Sequence, residues 1–170
     1  EAYQYESQPW THEVRAGLRG PVTENIQFVG SVGWAFGTKG RFLASAILRH
    51  VAGPYTTQTL EYRRDLTAPE QDLENRYAYN LWQVLGPYLT VNPFVSYRTY
   101  EDLNNNGTGT REWRAGLMFI SDISAKTFVR IGPVYQRVEY ISNPLVWERW
   151  TVRAEIRHFF TETWLIGLNY

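Results

Sequence analysis

The stretch Trp150-Thr151-Val152-Arg153-Ala154-Glu155-Ile156-Arg157 decides how the chain is read, because Trp150, Val152, Ala154 and Ile156 fall on one parity and Thr151, Arg153, Glu155 and Arg157 on the other. A β-strand sends successive side chains to opposite faces, so this period of two makes one apolar face and one charged face. A helix would spread the same charges around its axis.

Working outward, the alternation recurs near the N-terminus. Val14, Ala16 and Leu18 oppose Glu13, Arg15, Gly17 and Arg19; then Ile26, Phe28, Val32, Trp34 and Phe36 oppose Gln27, Ser31, Gly33 and Ala35. Further strands are predicted near 41–51, 57–66, 77–89, 94–103, 112–121, 127–141, 148–160 and 164–170, ten in all, within a range of eight to twelve. Residues 2–8 are a candidate extra strand or part of an N-terminal extension within 1–10. No long segment carries a 3.6-residue period.

The connections alternate in character. Tight turns are expected at 22–25, 53–56, 90–93, 123–126 and 161–163, and longer polar loops at 67–76, 103–110 and 142–147, with 37–40 a short exception. The pairs Gly20-Pro21, Gly53-Pro54 and Gly86-Pro87 recur every 33 residues near the tight-turn side, where a residue without a ladder donor is tolerated. Gly132-Pro133 falls inside an expected strand, where it implies a bulge, a sheet edge or a shifted register.

A chain of 170 residues fits one domain. Lys+Arg and Asp+Glu balance at 17 each, which removes the electrostatic case for a nucleic-acid partner. There is no cysteine, which excludes disulfides, thiolate metal sites and cysteine nucleophiles. The longest aliphatic or aromatic run, Leu117 to Ile120, is far short of the ~20 residues of a spanning helix. A strand that crosses a bilayer needs only ~9 to 11 residues with alternate ones facing lipid, so a mean hydropathy of −0.40 does not argue against a membrane. The opening at Glu1, with no apolar leader, is what a mature or trimmed form is expected to show.

Alternation alone also fits a soluble ligand-binding barrel with its apolar face inward, so the content of each face must decide. The polar face is expected to carry Glu13, Arg15, Arg19, Arg114, Arg130, Arg153, Glu155 and Arg157. Among 17 Lys+Arg only Lys39 and Lys126 are lysine. A solvated exterior favours lysine, whereas arginine pairs bidentately with carboxylates in confined spaces such as a lumen. On the apolar face, aromatics gather near strand ends: Trp34, Phe36, Tyr62, Tyr77, Tyr97, Trp113, Trp147, Trp150, Phe160, Trp164 and Tyr170. Rings at both rims match interfacial girdles.

The terminal Trp164-Leu165-Ile166-Gly167-Leu168-Asn169-Tyr170, alternating and ending in an aromatic, resembles the last strand of bacterial outer-membrane β-barrel proteins. The resemblance implies an antiparallel up-and-down transmembrane β-barrel in the outer membrane, with the lipid bilayer and its lipopolysaccharide as surroundings. It also implies periplasmic tight turns, and ten strands then leave both chain ends on the long-loop side, contrary to the usual topology of the class.

The function expected is a pore or passive channel for small polar solutes or ions, lined by arginine and glutamate. The bland alternative is a salt-bridged, plugged interior in a structural barrel that binds a protein partner through its loops. Asp102, Asn104 and Asn106 partly match a calcium loop, but the twelfth position is Trp113 with Glu112 one place early, so a simple turn-forming loop is the competing reading. The polar stretch 68–76 reads as a solvated loop that offers a contact surface. The histidines are His12, His50 and His158, and a pair such as Ser45 with His50 has nothing to select it. No hydrolase elbow, zincin or phosphate-loop motif occurs. No cofactor and no enzymatic activity are expected.

Overall fold

A computed structural model describes residues 12–36, 40–67, 72–101, 109–141, 145–159 and 165–169. These fold as one antiparallel sheet in sequence order: β1 His12–Thr23, β2 Ile26–Phe36, β3 Arg41–Gly53, β4 Thr56–Thr67, β5 Asp72–Gly86, β6 Leu89–Glu101, β7 Gly109–Ser124, β8 Thr127–Tyr140, β9 Val146–Phe159 and β10 Leu165–Asn169. Each strand pairs its sequence neighbour, which is the arrangement that short connections favour. The tight turns of two residues sit at Glu24-Asn25, Pro54-Tyr55, Pro87-Tyr88 and Ala125-Lys126, all on one rim. β1 starts and β10 ends on the opposite rim, and the two run in opposite directions.

The expected barrel needs correction on one point: the sheet is not closed. Among the described residues the ladder runs from β1 to β10 and no pairing joins those two strands. The candidate extra strand at 2–8 lies outside the described residues.

Two local expectations are also corrected. β5 begins at Asp72 rather than Tyr77, because Asp72 to Arg76 find ladder partners in Thr67 to Arg63 on β4. The third tight turn is Pro87-Tyr88, so 90–93 lie within β6. Gly20-Pro21 stands near the tight-turn end of β1, as expected, and the register shifts just beyond it, between Pro21 and Thr23.

Gly132-Pro133 is neither a bulge nor an edge. The pairs Gly116 with Val134 and Phe119 with Ile131 keep one register across it, while the two pairs between them are missing. Proline brings no N–H to a ladder, which explains the gap. A side chain at Gly132 would run into the carbonyl oxygen of Leu117, so the two backbones approach too closely there for any residue but glycine.

The sheet curls with its polar face concave. Arg15 on β1 donates from Nη2 to Oδ1 of Asp65 on β4 at 2.5 Å, spanning the two strands between them. Strands stand ~4.8 Å apart, so a flat sheet would put those two backbones ~14 Å apart, near the limit of both side chains. Most burial agrees with this sense of curvature. Leu43 (0% exposed), Val134 (1%), Met118 (2%) and Asn92 (2%) lie on the polar face, whereas Trp150 (73%) and Leu18 (67%) lie on the other; the exception is Leu73, on the convex parity of β5, which is buried in a cluster with Ala35 and Leu43. The Asn92 amide is satisfied by donating from Nδ2 to the Leu81 carbonyl at 2.8 Å.

The convex face carries a cross-strand aromatic row. Tyr62, Tyr77, Tyr97 and Trp113 sit on four successive strands with ring centroids 5.0, 6.3 and 4.3 Å apart, and Tyr135 meets Trp150 at 5.0 Å. Each such pair contributes ~0.5–1.5 kcal/mol beyond its buried area.

Candidate functional site

Strand register sorts the charges with little ambiguity, since directly paired residues share a face. All fifteen arginines lie among the described residues. Twelve stand on the concave face with eight carboxylates, and the other three, Arg64, Arg111 and Arg137, stand on the convex face with Glu101, Glu139 and Glu148. A chain with no net charge therefore presents an excess of cations on one face.

The residues expected on the polar face are all there: Glu13, Arg15, Arg19, Arg114, Arg130, Arg153, Glu155 and Arg157 share the concave side. They do not form one cluster. Arg15 pairs with Glu13 and Asp65 at one side of the sheet, and Arg157 pairs with Glu155 at the other. Of the expected interface aromatics, Trp34, Phe36, Trp113 and Trp150 are exposed on the convex face. Phe160, Trp164 and Tyr170 lie outside the described residues, as do Asp102, Asn104 and Asn106.

Trp147 is a correction. It shares the concave face with Arg149, whose guanidinium lies 4.8 Å from the indole centroid. A cation held over the ring face accounts for an aromatic among charges. Ser45 and His50 point to opposite faces of β3, as an odd separation along a strand requires. Ser45 instead meets Ser31 across the ladder at 2.7 Å. Among the described residues no three His, Asp or Glu side chains group to hold a metal.

Sequence reading missed the centre of the site. Arg63, Arg76 and Arg98 stand directly opposite one another on β4, β5 and β6, with Glu112 next in the row. Like charges in register repel, so each needs a counter-ion or water. Asp65 serves Arg63 at 2.5 Å while also taking Arg15 and the Leu66 amide. Glu74 lies 3.8 Å from Arg98, which also donates to the Tyr100 hydroxyl at 3.3 Å. Arg76 has no ion pair among the described residues, and the Nε atoms of Arg76, Arg114 and Arg130 are buried without a hydrogen-bond partner. The signal for this row was present in Glu61, Arg63 and Asp65 alternating with Leu60 and Tyr62.

The tight-turn half of the same face, on β6 to β8, is apolar. Met118, Ile120 and Val134 are buried together, with Phe94 and Phe128 packed against them. An open recess of about 740 Å³ adjoins this cluster, between it and the arginines of β8 and β9.

No protein-family model and no curated protein matches this sequence.

Proposed function

We propose that the chain forms the wall of a transmembrane β-barrel of the bacterial outer-membrane type, with the convex face in hydrocarbon. The concave face then surrounds a lumen that passes small polar solutes or ions, anions in preference. The observation that carries this reading is the sense of curvature: exposed aromatics and aliphatics on the outside of the curl, twelve arginines and eight carboxylates on the inside. An apolar face of this extent drives association in water and is at home in lipid. A soluble carrier of small hydrophobic molecules needs the opposite curl. On this reading the antiparallel directions of β1 and β10 let those strands meet and close the wall, removing both edges.

Two measurements test the proposal. The folded chain is expected to require an amphiphile and to migrate faster on a gel before heating than after. Reconstituted in a planar bilayer, it is expected to carry current with a reversal potential on the anion side in a salt gradient. No current above background in several salts would remove the channel.

A second reading is favoured by the apolar cluster of Met118, Ile120 and Val134 on the concave face, since side chains can fill so narrow an interior. The barrel would then be a plugged anchor whose loops hold a protein partner or lipopolysaccharide. A stoichiometric partner on purification supports this reading, and an isolated monodisperse monomer counts against it.

A further inference from the structure

We infer that the recess between β6 and β9 is a binding site for an organic anion with an apolar body, such as an aryl or branched-alkyl carboxylate, sulfonate or phosphate ester. The inference deepens the lumen reading and rests on it, because it places a specific ligand on the face proposed to meet water.

The recess lies between the apolar cluster and β9. On the concave face Gly116 lies in register between Phe94 on β6 and Val134 on β8, and Gly132 lies directly opposite Arg153 on β9. The Phe94 ring lies over Gly116, 2.6 Å from where a Cβ would stand, so that space is filled. At Gly132 the space is taken by the Leu117 and Met118 backbone of β7, so the recess opens beside the two glycines rather than over them; its volume is about 740 Å³, floored by Phe94, Met118 and Val134. That is within the ~300–1,000 Å³ of small-molecule pockets, which are mostly apolar with a few placed polar groups.

The charged wall consists of Arg130, Arg149 and Arg153. None of the three has an ion pair among the described residues, and Arg130 has a buried Nε with no hydrogen-bond partner. Arg149 is oriented by donating to Gln136 at 3.1 Å and by the Trp147 ring. The one carboxylate of the lining, Glu155, is already paired with Arg157. Three guanidinium groups beside an apolar floor, with their nearest counter-charge engaged elsewhere, fit a ligand that supplies both the missing anion and a hydrophobic surface. A small inorganic anion would leave the floor unused, and a neutral aromatic would leave the arginines unmatched.

The test is calorimetric titration of the full chain, folded in a neutral amphiphile, with naphthalene-2-sulfonate, blanked against protein-free amphiphile. Saturable binding of one equivalent is expected, with Arg130→Gln and Arg153→Gln each weakening it about tenfold or more. Either variant suffices if the other does not reach the heat-modifiable form. Arg111→Gln removes the same charge from the opposite face and is expected to bind as the parent does. The inference is overturned by absence of saturable binding, by inorganic sulfate competing as well as the aryl sulfonate, or by Arg111→Gln weakening binding equally. A chain that carries current without binding the probe keeps the channel and loses this site. One that binds the probe without carrying current keeps the site and loses the channel.

Discussion

The concave face has two walls that use arginine differently. On β1 to β4, Arg15 and Arg63 converge on Asp65 and Glu13 adds a second acceptor for Arg15, although Arg41 keeps a buried Nε without a hydrogen-bond partner. On β7 to β9, Arg114, Arg130 and Arg153 have no ion pair among the described residues, and Arg130 and Arg153 line open space. Both walls read as the same alternation in sequence. The difference teaches that register alone does not make the clamp: Arg15, opposite Gly33, reaches two carboxylates on its face, whereas Arg130, opposite Glu155, stays open because Glu155 is engaged by Arg157.

The contrast can be broken most forcefully at the apolar floor of the second wall. Met118→Ala removes a side chain buried to 2% exposure and is expected to cost ~2–5 kcal/mol in a denaturant titration followed by tryptophan fluorescence. A cost below ~1 kcal/mol would mean that the floor is not packed as described. Next in size is Asp65→Asn, which strips the hub of the first wall while leaving its shape. Two arginines lose a charge-assisted acceptor, and a loss of ~1–3 kcal/mol is expected, smaller in high salt. If the loss does not shrink with salt, the Asp65 contribution is not ionic.

The smallest effect is expected from Arg114→Gln on the second wall. With no ion pair to lose, stability should change by under ~0.5 kcal/mol or rise slightly, because burial of the charge and repulsion from Arg153, Arg98 and Arg149 outweigh the attraction of Glu112 at this position. A large destabilisation would show that Arg114 is clamped like Arg15, and the distinction between the walls would fall.

Much of this was legible in the residues. Ten strands, most of their approximate bounds and the shared face of Glu13, Arg15, Arg19, Arg114, Arg130, Arg153, Glu155 and Arg157 follow from a period of two, which is a local property of the extended backbone. The misreadings sit at the rims. Asp72 to Arg76 has four polar residues out of five and looks like a loop, yet pairing with β4 and β6 holds it extended, with Leu73 buried. Trp147 was assigned by its ring rather than its parity, although three residues separate it from Trp150 and therefore place the two on opposite faces. At a rim neither face is deep enough for composition to betray it.

By itself the sequence determined which side chains share a face, since that depends only on neighbours along the chain. Tertiary structure alone decided which way the sheet curls, that Arg15 reaches Asp65 fifty residues away, and that Phe94, Met118 and Val134 floor one recess beside Arg130, Arg149 and Arg153, which have no ion pair among the described residues. Those are matters of register and curvature, set jointly by pairs distant in sequence, and no single strand's alternation carries them.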